Sequence, residues 1–480
     1  MIQHVLRRMG FGASAEDLAA YADVPPLDLV HELLAFDRIP DTVDAQIGKP
    51  GYAGVTTRGG PFSPNTSIAD ARQRELFRMI HSRRPLAEKM ALFWHNHFAT
   101  AYSKVAGAIG QVQGARMMAA RPEETPGGAT GQYELFRRMG TGSFTDLLVA
   151  VAKDPAMLVW LDGRQNTKNR PQENFGRELM ELFTTGIGHY TEDDVRAAAR
   201  AFTGWNLQLV GDRSNPEASY YQFVFNQNQH DTAAKAFTFA IYPDGGQTMA
   251  ARSGEAGLQD GLDLIAALAR HPATARRLAG RLYAYFINEV DPPDDAVIDD
   301  LAATYLASGT SIRSVLQRLF TSPAFLDPAN EFARYAWPLE FVVRSVREAG
   351  WTGFGVDTAI TPLVNMGQQL FEPPDVNGWA LGPAWFSTAS MLARMNFASA
   401  LMQNQKFNLG AAAAPYGQSP DRVLDYLLNR FTYAPIGQEV YDALLEYLQA
   451  GGWTGATSQL NDKAAGAARL IVASSEYQFN

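Results

Sequence analysis

His95 and His97 stand two apart in the tract FWHNHFAT, and His230 is followed directly by Asp231 in NQNQHDTAA. The chain holds no cysteine, so a transition-metal centre in it would be built from imidazole and carboxylate. Two imidazoles at this spacing point the same way from an extended segment but lie about 200° apart on a continuing helix. A shared site for His95 and His97 therefore requires the preceding helix to stop near Trp94. His230, on a loop between two strand-like runs, would supply the third ligand. Asp231 or Glu178 would then orient a ligand or take a proton from metal-bound water. The plainer alternative has one histidine capping a helix C-terminus, the other packed on Trp94 and Phe98, and His230 bonded to Asp231 or a carbonyl.

A second concentration of chemistry is PQENFGRELMELFTTGIGHYTEDDVRAAARAFTGWN, Pro171 to Asn206. From Glu173 to Phe183 the apolar residues Phe175, Leu179, Met180, Leu182 and Phe183 share one helical arc, with Glu173, Arg177, Glu178 and Glu181 on the other. That polar face is either a catalytic or metal-binding wall or a ladder of surface ion pairs, since Glu173, Arg177 and Glu181 fall at i, i+4 and i+8. In the first case Arg177 neutralises excess carboxylate or faces an anionic substrate. Gly186 and Gly188 end this helix, and Thr191 before Glu192, Asp193 and Asp194 caps the next.

The third is FEPPDVNGWALGPAW, Phe371 to Trp385, too rich in proline and glycine for a helix. Trp379, Trp385 and Asn377 could line a substrate cleft, or the two tryptophans could staple the loop to the core. Arg276, Arg277 and Arg281 read as a solvated face or as ion-pair partners of the acidic hairpin, with an anionic ligand as the alternative.

The elements that must position these residues are helices. Helical periodicity and caps predict runs at Ser67 to His81, Pro85 to Trp94, Ser143 to Lys153, Pro272 to about Val290 and Trp337 to Glu348, among others. Gly48 to Asn65 and Arg121 to Gln132 read as loops, and GAAAAPYG as a linker. Tyr220 to Phe225 and Lys235 to Ile241 read as two strands. The chain is thus expected to be mainly α, a multi-helical globular protein with a small inserted antiparallel β hairpin between about Trp205 and Pro243. Residues 1–405 form the main helical unit, and 406–480 a C-terminal helical region packed on the same core.

The composition, 46% hydrophobic and 19% charged over 480 residues, is that of a globular protein with a sizeable core. A net charge of −9 without a basic run argues against nucleic acid as a partner. No apolar stretch is long enough for a transmembrane segment, and MIQHVLRRMGFGAS lacks the apolar core of a secretory signal, so the chain reads as unexported. No Glu is followed three residues later by His, which disfavours di-iron bundles, and nucleophile-elbow, Walker and dinucleotide motifs are missing.

Six segments resemble, in order, the large bacterial family known as domain of unknown function eighteen-hundred. They are HVLRRMGFGAS, FWHNHFAT, ENFGRELMELFTTGIGHYTEDDVRAAARAFTGW, the His-Asp of NQHDTAAKAF, HPATARRLAGRLYAYF and MGQQLFEPPDVNGWALGPAW. The resemblance spans Met1 to about Phe397. It implies relatives that are often exported and encoded beside a partner similar to phosphatase and sulfatase folds. The residues support two functions. One is a metal-dependent, hydrolase-like enzyme with a divalent transition metal on His95, His97 and His230, Glu178, Arg177 and Asp231 in catalytic roles, and Trp379, Trp385 and Asn377 on the substrate. The other is a non-catalytic helical binding or scaffold protein acting with a partner.

Overall fold

Side-chain caps start the helices where the sequence puts them. Ser14 and Asp17 form a reciprocal capping box, as do Thr191 and Asp194. Proline opens the helices Pro26–Leu34, Pro85–His97, Pro272–Phe286 and Pro338–Ala349, where the first position needs no amide donor. The computed structural model describes residues 1–57, 59–432 and 436–480. Arg58, inside the expected loop from Gly48 to Asn65, lies outside the described residues. The fold is mainly helical, with 23 α-helices and two small antiparallel sheets among the described residues. None of these helices is long and apolar enough to cross a membrane.

The hairpin differs from expectation in its partner strand. β1 (Trp205–Val210) pairs with β2 (Tyr220–Phe225), placing Trp205 opposite Phe225. Of the run from Lys235 to Ile241, only β3 (Lys235–Ala236) is strand, paired with β4 (Thr248–Met249). The reason is a competing acceptor: the Thr238 amide and hydroxyl both go to the Asp194 carboxylate, at 2.7 and 2.6 Å, so the chain leaves the ladder. The expected linker is likewise corrected. Lys406–Ala413 is helical, as its alanines favour, and packs beside Thr457–Ala473. Buried apolar residues form one cluster running from Val5 to Tyr477. Arg7 Nη2 donates to the Phe431 carbonyl at 2.6 Å and pairs with Glu348 at 2.9 Å, tying the first helix to the C-terminal region.

A buried ionic network fixes the helix that carries His95 and His97. Arg78 of Ile68–His81 donates to Glu88 at 3.1 Å, and Arg137 of Gln132–Met139 reaches the other oxygen of Glu88 at 3.0 Å. Arg137 also pairs with Glu75 and Glu134, and all these side chains are almost fully buried. On the opposite side Lys89 bonds Glu340, which Arg334 also holds, at 2.7 Å.

The buried Asp154 carboxyl joins no ion pair among the described residues. Asp154 caps Pro155–Trp160 through the Met157 amide at 2.9 Å and takes a second bond from Gln132 at 2.8 Å, while its other oxygen has no partner. Burial pushes its carboxyl from 3.8 up to about 7. The folded state thus holds this proton more tightly than the unfolded chain, and the associated stability is lost as pH rises from about 4 through 7. Asp154→Asn keeps the cap and removes the charge. Its stability relative to the parent should rise between pH 4 and 8 by up to about 4 kcal/mol, read from urea unfolding. A difference that does not change with pH would contradict this.

Candidate functional site

The histidine helix does not stop at Trp94. It runs Pro85–His97, and the Phe98 amide closes it on the Trp94 carbonyl at 2.8 Å. His95 and His97 therefore diverge, which corrects the expectation of a shared site. His95 Nε2 accepts the Phe371 amide at 3.0 Å, its ring boxed by Tyr133, Phe371 and Trp379. His97 Nε2 donates to the Phe183 carbonyl at 3.1 Å amid Phe93, Trp94, Phe98 and Phe144. Burial lowers His95 to about 3 and His97 well below the usual range, so both rings are neutral.

His230 belongs to a third place. Its Nδ1 faces the Thr203 carbonyl at 2.8 Å and its Nε2 the Asp260 carboxylate at 3.2 Å. Asp260 is also held by Lys235 and Arg252, at 2.7 and 2.9 Å. Thr203, His230 and Asp260 thus resemble a nucleophile, base and orienting acid, but all three are buried and the Thr203 hydroxyl donates to the Arg200 carbonyl at 2.6 Å. They latch the β insertion to the helix Leu258–Ala269. Asp231 pairs with Arg200 at 2.7 Å, which holds its carboxyl below the ordinary range. Among the described residues, no group of three or more His, Asp and Glu side chains is arranged to hold a metal ion. The donor set proposed for a divalent metal does not fit one centre.

The acidic helix is α only over Asn174–Glu178, then widens into a π turn, Leu179–Phe183. Arg177 bonds Glu192 at 2.7 Å and Glu173 at 3.1 Å on an exposed face, the ladder geometry rather than a wall. Glu178 is half-buried, and burial and Glu181 raise its carboxyl. The π turn has a consequence for chemistry. The Thr184 and Thr185 hydroxyls take the Leu179 and Met180 carbonyls at 2.6 and 3.2 Å, and the carbonyls of Leu182 and Phe183 turn outward to Arg277, at 3.3 Å, and to His97.

Trp379 and Trp385 are 3% and 5% exposed, so the expectation that they face a substrate is corrected: they staple the loop to the core. The Trp379 amide donates to Asn96 Oδ1 at 2.7 Å. Gly378, at φ +85°, lies so close to Asn96 that a Cβ would fall 2.3 Å from its Oδ1. Asn377 remains exposed and does line a groove. Trp379→Ala should cost about 3–5 kcal/mol of stability, read from urea unfolding. Stability retained in the variant would contradict this.

The open space lies along the helix Pro272–Phe286. An outer groove of about 900 Å³ runs past Glu181, Gly186, His189, His271, Arg277 and Asn377. An inner lobe of about 240 Å³ is walled by Phe93, Asn96, Arg281, Tyr285, Trp337 and Leu381. Arg277 and Gly280 line both, so the two spaces adjoin along this helix. No atom lies within 4 Å of where a Gly280 Cβ would stand, and Gly186, at φ +83°, leaves room for the Arg277 guanidinium. His271 Nδ1 accepts the Ala273 amide at 3.1 Å, so its neutral ring carries the proton on Nε2 and offers a donor.

Charge distinguishes the three arginines of this helix. Arg276 pairs with Asp295 at 2.5 Å and with Asp299. Among the described residues Arg277 has only the Leu182 carbonyl and its buried Nε has no partner, and burial lowers its pKa against the pull of Glu181. Arg281 makes no hydrogen bond or ion pair among the described residues, and burial and Arg277 pull it down to about 10. Buried arginines elsewhere are bonded: Arg137 to three glutamates, Arg344 to the Tyr477 and Phe479 carbonyls.

The family described as protein of unknown function DUF1800 matches residues 4–479 of the chain. The chain belongs to this family. No curated protein and no solved structure shows significant similarity to it. In this member of the DUF1800 family, four of the six segments that resembled the family border one cleft. The end of the histidine helix, the π turn and the loop from Phe371 to Trp385 surround Arg277 and Arg281, while the His230 loop stands apart. Sequence reading set these arginines aside as a solvated face. A signal was present in the small residues Gly280 and Ala284, which share their face at helical spacing and leave it open.

Proposed function

We propose that the chain is a binding protein for a small oxyanion-bearing ligand, gripped by Arg277 and Arg281 in the cleft beside Pro272–Phe286. Arg281 carries this reading: it is a cation at neutral pH, partly buried, with no carboxylate in ion-pair contact among the described residues. An uncompensated buried charge costs folding free energy, and a ligand that supplies the missing charge accounts for its presence. The guanidinium fork matches the geometry of carboxylate, sulfate and phosphate. His271 Nε2–H and the Asn96 amide nitrogen, which bonds nothing among the described residues, add donors around the same space.

This favours the binding class over the metal-dependent hydrolase, whose three imidazoles share no common point. A partner with a phosphatase- or sulfatase-like fold, the association that family membership implies, would handle ligands of the same chemistry. Isothermal titration of the whole protein with phosphate and with sulfate tests the reading. Saturable one-to-one binding, weakened at least tenfold in Arg277→Met, is the expected result. Absence of binding by either anion, or equal affinity in the variant, would overturn it.

A further inference from the structure

The inner lobe carries information beyond charge. Its walls are the rings of Phe93, Tyr285 and Trp337, with Ala284 and Leu381, and its polar groups are Arg277, Arg281, Asn96 and Glu289, the last accepting the Tyr335 amide at 2.8 Å and pushed by burial towards its neutral form. Trp337 is 2% exposed and its indole N–H has no partner. The Trp160, Trp205 and Trp385 indoles likewise have none among the described residues, so Trp337 serves the lobe as an apolar wall and Arg281 is the unfilled position that borders it. The lobe of about 240 Å³ exceeds the ~150 Å³ of a cavity that admits benzene. One substituted ring fits there.

Resting on the anion-binding reading, the geometry points to a specific ligand class: a planar aromatic or similarly flat apolar group bearing one oxyanion, the ring in the inner lobe and the oxyanion on Arg277 and Arg281. A bare inorganic anion leaves the ring-lined walls facing water. An uncharged ring leaves Arg281 without a partner. Each half of the ligand therefore answers to a different set of residues. Leu381, 46% exposed, closes the lobe towards solvent from the loop that Trp379 anchors.

Competition titrations of the whole protein with phenyl phosphate, inorganic phosphate and phenol test this. Phenyl phosphate should bind at least 30-fold more tightly than inorganic phosphate, because burial of one ring adds apolar area to the same charge contact, and phenol should bind more weakly than either. Leu381→Asn, at an exposed position that leaves folding intact, should reduce affinity for phenyl phosphate about tenfold and leave inorganic phosphate unchanged. Equal affinities for phenyl phosphate and phosphate, with Arg277→Met still weakening both, would overturn the aromatic class while the anion reading stands. Failure of both anions to bind, or phenol binding as well as phenyl phosphate, would remove the anion reading and this inference together.

Discussion

Arg281→Met leaves the ligand-free protein at least as stable as the parent, by about 0–2 kcal/mol, and abolishes anion binding by 100-fold or more. Both effects have one cause. Methionine keeps most of the aliphatic volume among Phe93, Tyr285 and Trp337 but removes a cation with no carboxylate in ion-pair contact among the described residues, and exchanging an unmatched buried charge for apolar volume is often stabilising. The gain is kept small because the side chain is only partly buried and solvent screens part of its charge. Saturating phosphate reverses the order. At about 100 times the parent's dissociation constant the ligand adds roughly 2.7 kcal/mol to the parent and at most about 0.4 kcal/mol to the variant. Urea unfolding with and without phosphate measures both arms. A variant that loses several kcal/mol without ligand would make Arg281 a structural residue.

The opposite behaviour is expected where an arginine is fully matched. Arg137→Met should destabilise the protein by about 3–5 kcal/mol at pH 7.5, the usual result of removing one partner from a buried ion network. Glu75, Glu88 and Glu134 would be left around a gap, each keeping another arginine: Arg74 for Glu75 at 3.5 Å, Arg78 for Glu88 at 2.9 Å and Arg138 for Glu134 at 2.7 Å. Burial already raises the Glu75 carboxyl against the pull of Arg137. Without Arg137 the folded state binds protons more readily than the unfolded chain, so the loss should shrink as pH falls towards 5.5. A loss below about 1 kcal/mol at pH 7.5, or one that grows on acidification, would contradict the network's role. The contrast between Arg137 and Arg281 is the physical basis for treating one as architecture and the other as a binding group.

What could be read in advance followed the range of the interaction. The caps at Ser14 and Thr191 are contacts over three residues, visible in the letters themselves. The helical class and an inserted hairpin followed from periodicity. The fate of His97 depended on whether a helix ended, which is decided by packing against Phe144, Phe183 and Tyr285 far along the chain. The π turn is equally silent, since Leu179, Met180 and Phe183 fit an ordinary α arc and are buried in either geometry. Arg276 and Arg281 look alike as letters. They differ because Asp295–Ala307 brings carboxylates to the first and the aromatic lobe surrounds the second.

The central claim is tested most directly by a crystal structure of the whole protein grown with selenate, located by anomalous scattering from selenium at the absorption edge. The account predicts a strong peak within hydrogen-bonding distance of the guanidinium groups of both Arg277 and Arg281, absent in crystals of Arg281→Met. An empty cleft at a selenate concentration that fills other surface sites would contradict it.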